Sequence, residues 1–281
     1  MLSTKDHSRD AAGLTYVYPV ISRRSGGLSV GINLNPNNAC NWHCVYCQVP
    51  GLTRGSAPAV DLQRLHEELT GFLRSVLDGS FCAHFGVAPE NGVIRDIAIS
   101  GNGEPTSAPN FDQVAAVIHQ VARSLDLGSE VKRVLISNGS LMRRSLVQRG
   151  LRIWRSMGGE VWFKVDSGTE AGRRRINGVN LGTGVLLGNL EAVAGICPTW
   201  IQSCVFSYDG EVPSVAERSA YLALLGKARM AGIPLEGVLL YGLARPSMQA
   251  EAPRLAVLPS GWLEGFAAEI RKLGYNVKVS L

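Results

Sequence analysis

The 281-residue chain contains no uninterrupted apolar run near the roughly 18 residues that a membrane-crossing helix requires, so a helical membrane protein is not expected. Its first residues, Met1 to Asp10, are polar and charged, which argues against a secretory signal peptide and for a cytoplasmic setting. Without secretion, disulfides are not expected, and the six cysteines read as ligands or buried thiols. Internal repeats are absent, and no proline-rich or glycine/serine-rich linker divides the chain. A strong charge of one sign is also missing: the net charge is only +5. Basic residues do gather at Arg143, Arg144, Arg149, Arg152 and Arg155, and again at Arg173, Arg174 and Arg175. No aromatic interleaving of the kind that stacks single-stranded bases accompanies them. They read as a solvated helix face and loop, with phosphate contact as the alternative.

What is present is an alternation of apolar runs with helical patterns from about Leu28 onward. The expected strands are Leu28–Leu34, Val93–Ile99, Arg133–Ser137, Glu160–Val165, Trp200–Phe206, Leu235–Tyr241 and Asn276–Val279. Between them lie helical patterns at Leu62–Leu77, Phe111–Leu125, Leu141–Gly150, Val185–Ala194, Val215–Ala231 and Gly261–Leu273. Asn110 is the expected N-cap of the second helix, and Gly274 the C-cap of the last. Six βα units and a closing strand form one α/β domain over residues 28–281, with residues 1–27 as an N-terminal extension laid on its surface. Six units fall short of the eight of a closed barrel, so the expected architecture is a partial (β/α)6 TIM-like barrel. An open doubly wound sheet is the alternative, and both folds place ligands at the carboxyl ends of the strands.

Those ends are rich in polar residues. They carry Asn35 and Gln48, then Ser100 to Thr106, Ser137-Asn138-Gly139, Lys164 with Asp166, Gln202 with Ser203, and Tyr241 to Pro246. The most distinctive segment is Cys40-Asn-Trp-His-Cys44-Val-Tyr46-Cys47. Three thiolates so close together can hold three corners of a 4Fe-4S cube and leave the fourth iron open, unlike electron-transfer clusters closed by four thiolates. A structural zinc site with His43 as fourth ligand is the non-enzymatic alternative. It crowds all ligands into one loop, where tetrahedral zinc sites usually join separated pairs. Cys82, Cys197 and Cys204 have no matching spacing and read as buried thiols.

The cysteine spacing, with an aromatic before the last cysteine, resembles the radical S-adenosylmethionine (SAM) superfamily. Gly103-Glu104-Pro105 resembles the glycine-rich acidic element that binds the SAM amino group in those enzymes, with Asn102 in place of a further glycine. The resemblance implies a single 4Fe-4S cluster on Cys40, Cys44 and Cys47 and SAM on its open iron. Reductive cleavage of SAM then gives a 5′-deoxyadenosyl radical that abstracts hydrogen from a substrate. It places Tyr46 and the Leu239 to Gly242 stretch, Leu240 included, near adenine, and Ser137 and Asn138 at ribose or carboxylate. Lys164 and Asp166, two apart and so on one strand face, read equally as a strand-end ion pair or as contacts to SAM; Gln202 joins them as a cofactor contact. An external one-electron reductant such as flavodoxin or ferredoxin is implied, since no flavin motif is present.

Gly31 to Leu34, Cys44 to Val49, Ser100 to Thr106, Ser137 to Gly139 and Tyr241 to Pro246 further resemble the group linked to wybutosine (tRNA wyosine) synthesis. Its second-cluster cysteines are missing, because residues 1–39 contain none. An RNA-modifying enzyme is the leading expectation, and an activase of a glycyl-radical protein the alternative.

Overall fold

The structure is a computed structural model that describes residues 12–22 and 26–280. The polar start used to argue against a signal peptide, and residues 1–11 and 23–25 of the expected extension, lie outside the described residues. The chain forms two compact units. Among the described residues, the first lies within 1–39, 56–136 and 144–160, and the second within 40–55, 137–143 and 161–281.

In the first unit β1 (Val17–Ser22) runs antiparallel to β2 (Gly27–Ile32), which pairs in parallel with β3 (Ile94–Ile99), and β3 with β4 (Lys132–Ser137). The sequence reading contained no strand before Leu28. β1 escaped it because Pro19 interrupts the run, and proline is tolerated at a sheet edge where no ladder donor is needed. Tyr18 of β1 lies over Gly31, where an added Cβ would come within 2.2 Å of the ring, so the partner strand needs glycine there.

Helix α1 (Leu62–Leu77) has Asp61 as N-cap, accepting from Arg64 N at 3.0 Å, and buries Leu65, Leu69, Phe72, Leu73 and Val76 along one stripe. A short α2 (Ser80–Phe85), unforeseen in the sequence, follows it. In α3 (Phe111–Ser124) Asn110 occupies the cap position but makes no capping bond. Its side chain instead brackets Val60, accepting from Val60 N at 3.0 Å and donating to Val60 O at 2.9 Å. Helix α4 (Ser145–Ser156) is shifted from the expected Leu141–Gly150. Gly150 does not end it but lets Phe111 approach, since a Cβ there would meet the ring at 2.6 Å. Arg143, Arg144, Arg149, Arg152 and Arg155 are all exposed, while Val147, Leu151 and Trp154 are buried on the opposite side of α4.

In the second unit β5 (Gly159–Lys164), β6 (Thr199–Cys204), β7 (Gly237–Tyr241) and β8 (Val277–Ser280) pair in parallel in that order. The helices are α5 (Glu170–Asn177), α6 (Thr183–Ala194), α7 (Val215–Met230) and α8 (Ser260–Arg271). α5 was not foreseen. Its eight residues bury only Arg173 and Asn177, so no apolar period betrays it, and it contains two of the three clustered arginines, Arg174 and Arg175, on its exposed side. No helix among the described residues is long and apolar enough to cross a membrane.

The turn after β5 is clamped from two sides. Glu217 of α7 accepts from the Ser167 hydroxyl, from Gly168 N at 3.1 Å and from Thr169 Oγ1 at 2.9 Å. Ser214 and Glu217 have capping-box spacing, and Ser214 caps α7, but the glutamate is diverted to this turn. From below, the buried Arg173 guanidinium donates to Ser167 O at 3.2 Å, Leu181 O at 2.8 Å and Thr183 Oγ1 at 2.9 Å. Gly168 packs so closely on α7 that a Cβ would lie 2.2 Å from Tyr221 N.

Candidate active site

The cysteine loop lies wholly in the second unit and is tied down along its length. At its start, Asn138 Nδ2 donates to Asn41 Oδ1 at 2.8 Å, and Asn41 Nδ2 donates to Ser140 Oγ at 2.8 Å. Asn138 Oδ1 in turn accepts from Ser140 N at 3.0 Å, and Ser137 Oγ accepts from Gly139 N at 3.0 Å. In its middle, the loop uses carbonyls that end α5: His43 N donates to Asn177 O at 3.0 Å and Val45 N to Ile176 O at 2.9 Å. Helix C-termini leave such carbonyls without intrahelical donors, so the loop completes the helix as the helix holds the loop. At its end, Cys47 O accepts from Met248 N at 2.9 Å, Ser247 Oγ at 3.2 Å and Gln249 Nε2 at 3.2 Å. Arg245 Nη1 donates to Gln48 Oε1 at 3.0 Å.

Beside this loop the strands present one polar face. Register pairs Lys164 with Gln202, Gln202 with Leu239, and Cys204 with Tyr241, so these side chains share a face of the sheet. Leu240 pairs with Ser203, whose hydroxyl meets Tyr221 of α7 at 2.6 Å; both lie on the helix-covered face. Leu239, rather than Leu240, therefore stands beside Gln202 and Lys164.

Asp166 follows β5 and is the hub of this region. Its Oδ2 accepts from Tyr46 OH at 2.5 Å and Asn177 Nδ2 at 2.7 Å, and its Oδ1 from Cys204 N at 2.9 Å. Lys164 Nζ sits 4.7 Å from the Tyr46 ring centre, a cation–π contact. Burial opposes the charge on Lys164, but Tyr241, Asp166, Cys44 and Cys204 together hold its ammonium well above the ordinary range. Burial, and then the Asp166 carboxylate, pushes the Tyr46 phenol far up. The Cys44 thiol is pushed up to about 12 by burial, against the pull of Lys164 and of the Asn177 amide.

The glycine-rich turn belongs to the first unit. Gly101 and Gly103 have no room for a side chain: a Cβ would meet Asn33 Oδ1 at 2.3 Å in one case and Ala39 O at 2.1 Å in the other. Asn33 Oδ1 accepts from Asn102 N at 3.0 Å and Asn35 N at 3.0 Å, binding the turn to the end of β2. Glu104 is buried, and its Oε1 accepts from Thr106 N at 3.0 Å and Thr106 Oγ1 at 2.5 Å, with Pro105 opening a short 3-10 turn. The carboxylate is thus held in place by its own turn, not left to swing.

Among the described residues no group of three or more His, Cys, Asp or Glu side chains is drawn together as a preformed metal site. The donor chemistry nevertheless fits an iron–sulfur group. None of the three loop cysteines is in a disulfide, and all are half-buried and carried on one anchored segment. Polar atoms in the same unit also lack partners: Gln202 Oε1 and Asn177 Oδ1 are buried acceptors with no hydrogen bond. Buried acceptors normally find donors, so these positions suit a polar ligand. The structure thus brings Cys40, Cys44, Cys47, Tyr46, Ser137, Asn138, Lys164, Asp166 and Gln202 into one unit, and Gly103, Glu104 and Pro105 into the other. Sequence reasoning missed Asn41, Asn177, Ser247 and Gln249, which position the loop. Only the polar ends of α5 and of the 245–249 segment hinted at them.

No family model matches the chain. Its backbone resembles a radical SAM methyltransferase from Sphaerobacter thermophilus with a TM-score of 0.61 and 14% identity, over 94% of this chain and 68% of that one. The fold is that of radical SAM enzymes. Coproporphyrinogen III oxidase from Escherichia coli, also a radical SAM enzyme, gives a TM-score of 0.51 at 13% identity, over 88% of this chain and 52% of that one. The structure of anSMEcpe with AdoMet and a peptide bound gives 0.55 at 14% identity, over 89% of this chain and 63% of that one. The radical SAM partial barrel expected from six βα units is therefore borne out. Among curated proteins, the chain is similar to the GTPase Obg of Brachyspira hyodysenteriae, 24% identical over 135 residues; that stretch spans 48% of this chain and only 17% of the GTPase.

Proposed function

We propose that this protein is a radical SAM enzyme with one 4Fe-4S cluster on Cys40, Cys44 and Cys47. The observation that carries the reading is a three-thiol loop, anchored at start, middle and end, in a chain with the radical SAM fold. When bound, the cluster supplies the electron that cleaves the carbon–sulfur bond of SAM and releases a 5′-deoxyadenosyl radical. The chain's own residues bind and orient. Glu104, fixed by Thr106, offers a carboxylate to the SAM ammonium group; Gly101 and Gly103 let Asn33 and Ala39 pack directly against that turn and so fix where the carboxylate stands. Lys164 stays protonated and supplies a half-buried positive charge for a carboxylate. Gln202 Oε1 accepts a ligand donor, and Leu239 with Tyr46 provides the apolar side near adenine, while Leu240, expected there from the resemblance, faces the covering helix instead. Asn138 holds the loop start through Asn41, it and Ser137 contact ribose or carboxylate, and Asp166 serves the site through Tyr46 and Asn177.

The wyosine-like motifs and the exposed arginines of α4 support RNA as the substrate, with phosphate contacts that weaken as salt rises. A cytoplasmic enzyme reduced by flavodoxin or ferredoxin completes the reading. Activation of a glycyl-radical protein would use the same residues on a protein substrate.

The test is anaerobic reconstitution with iron and sulfide, then incubation with SAM and dithionite. The expected result is 5′-deoxyadenosine, abolished in Cys44→Ala. A colourless protein that binds zinc and leaves SAM intact would sink the proposal.

A further inference from the structure

Asn177 closes α5 with its side chain almost fully buried, 1% exposed. Its Nδ2 lies 2.7 Å from Asp166 Oδ2 and 3.3 Å from Cys44 Sγ. An amide nitrogen carries two hydrogens, one for each acceptor. The reverse orientation would set the amide oxygen against the carboxylate with no proton between them, so Asp166 fixes which way Asn177 points. The backbone reinforces this geometry. His43 N and Val45 N, on either side of Cys44, donate to Asn177 O and Ile176 O, and Gly178 ends the helix with φ +66. These bonds hold the backbone of Cys44 beside the amide.

We infer that Asn177 is a positioning residue that sets both the place and the electron density of the Cys44 sulfur, with Asp166 as its orienter. The inference rests on the reading of Cys40, Cys44 and Cys47 as cluster ligands. Hydrogen bonds to ligand sulfur stabilise the more negative, reduced state of a cluster and raise its potential, and partners one step beyond the ligands commonly tune metal sites in this way. Asn177 holds such a donor by a carboxylate that is itself tied to Tyr46 in the same loop and to the end of β6. The loop's conformation and the sulfur's electronic environment thus share one hydrogen-bonded chain, Tyr46–Asp166–Asn177–Cys44.

The experiment uses the full chain reconstituted anaerobically with iron and sulfide. It compares wild type with Asn177→Leu, similar in size but without a donor, and Asn177→Gln, which restores one. Iron content is measured first, then the cluster midpoint potential by redox titration followed by electron paramagnetic resonance. The expected result is a more negative midpoint in Asn177→Leu, with Asn177→Gln returning toward wild type. If Asn177→Leu folds but loses iron, recovery of both iron and potential in Asn177→Gln supports the same role. A midpoint in Asn177→Leu equal to wild type at equal iron content overturns the inference and leaves the cluster reading standing, as does an Asn177→Gln protein no closer to wild type than the leucine variant. A wild-type protein that takes up no cluster is a different failure, and it removes the reading on which the inference rests.

Discussion

Replacing Asp166 by asparagine tests the hub of the second unit with almost no change of shape. The carboxylate accepts three bonds: two on Oδ2, from Tyr46 OH at 2.5 Å and Asn177 Nδ2 at 2.7 Å, and one on Oδ1, from Cys204 N at 2.9 Å. An amide can keep its oxygen at the Oδ2 position and save two bonds, but its NH2 then faces the Cys204 N–H. That leaves donor against donor, which costs about 1–3 kcal/mol for a buried pair. The two surviving bonds fall from charged to neutral acceptors, a loss of roughly 1 kcal/mol each. Asp166 is only half-buried, so water recovers part of this, and the lower range applies: a loss of about 2–3 kcal/mol. Urea unfolding followed by tryptophan fluorescence would show the midpoint moving down by about 1 M, given a slope of roughly 3 kcal/mol/M. A loss under about 0.5 kcal/mol would refute the argument, because it would mean that the three donors do not depend on this carboxylate.

Glu217→Ala frees the Ser167 hydroxyl, Gly168 N and Thr169 Oγ1 at once, and the expected cost is about 2 kcal/mol in the same unfolding assay; Glu217→Asp, too short to reach, should lose nearly as much. Gly103→Ala drives a methyl to 2.1 Å from Ala39 O and so displaces the Glu104 turn, and SAM affinity by calorimetry on the reconstituted protein should fall at least tenfold while iron content is kept. Burial holds the Tyr221 phenol well above its ordinary range, and that of Tyr275 above it as well. Raised phenols contribute stability that is complete below the unfolded value near pH 10 and lost as pH climbs toward the folded values. Stability should therefore be flat with respect to these groups at neutral pH and decline above about pH 10. A Tyr221→Phe variant that declines just as steeply as wild type would count against this attribution.

The strand and helix order was legible because long apolar periods mark it: α1 lies at Leu62–Leu77 as read, and β3 and β4 begin within a residue of expectation. Elements built on polar contacts were not. α5 buries an arginine and an asparagine, β1 carries a proline, and Gly150 looked like a helix end because nothing local shows that Phe111 packs on it. The candidate site divides in the same way. Cysteine spacing and the Gly103–Pro105 turn are local patterns, visible without a fold. Asn177, Ser247 and Gln249 reach the cysteine loop from more than 100 residues away, and no local pattern encodes that meeting. Lys164 and Asp166, two residues apart, looked like a pair with each other; in the fold Asp166 is committed to Tyr46, Asn177 and Cys204, while Lys164 meets the Tyr46 ring.

The central claim is that three cysteines hold a cluster whose remaining iron accepts SAM directly. The most direct measurement is the electron paramagnetic resonance spectrum of the reconstituted, dithionite-reduced protein recorded with and without SAM. The account expects a 4Fe-4S signal that changes shape when SAM is added and that is lost in Cys40→Ala, Cys44→Ala and Cys47→Ala alike. A cluster signal indifferent to SAM, or one that survives loss of any of the three cysteines, would contradict it.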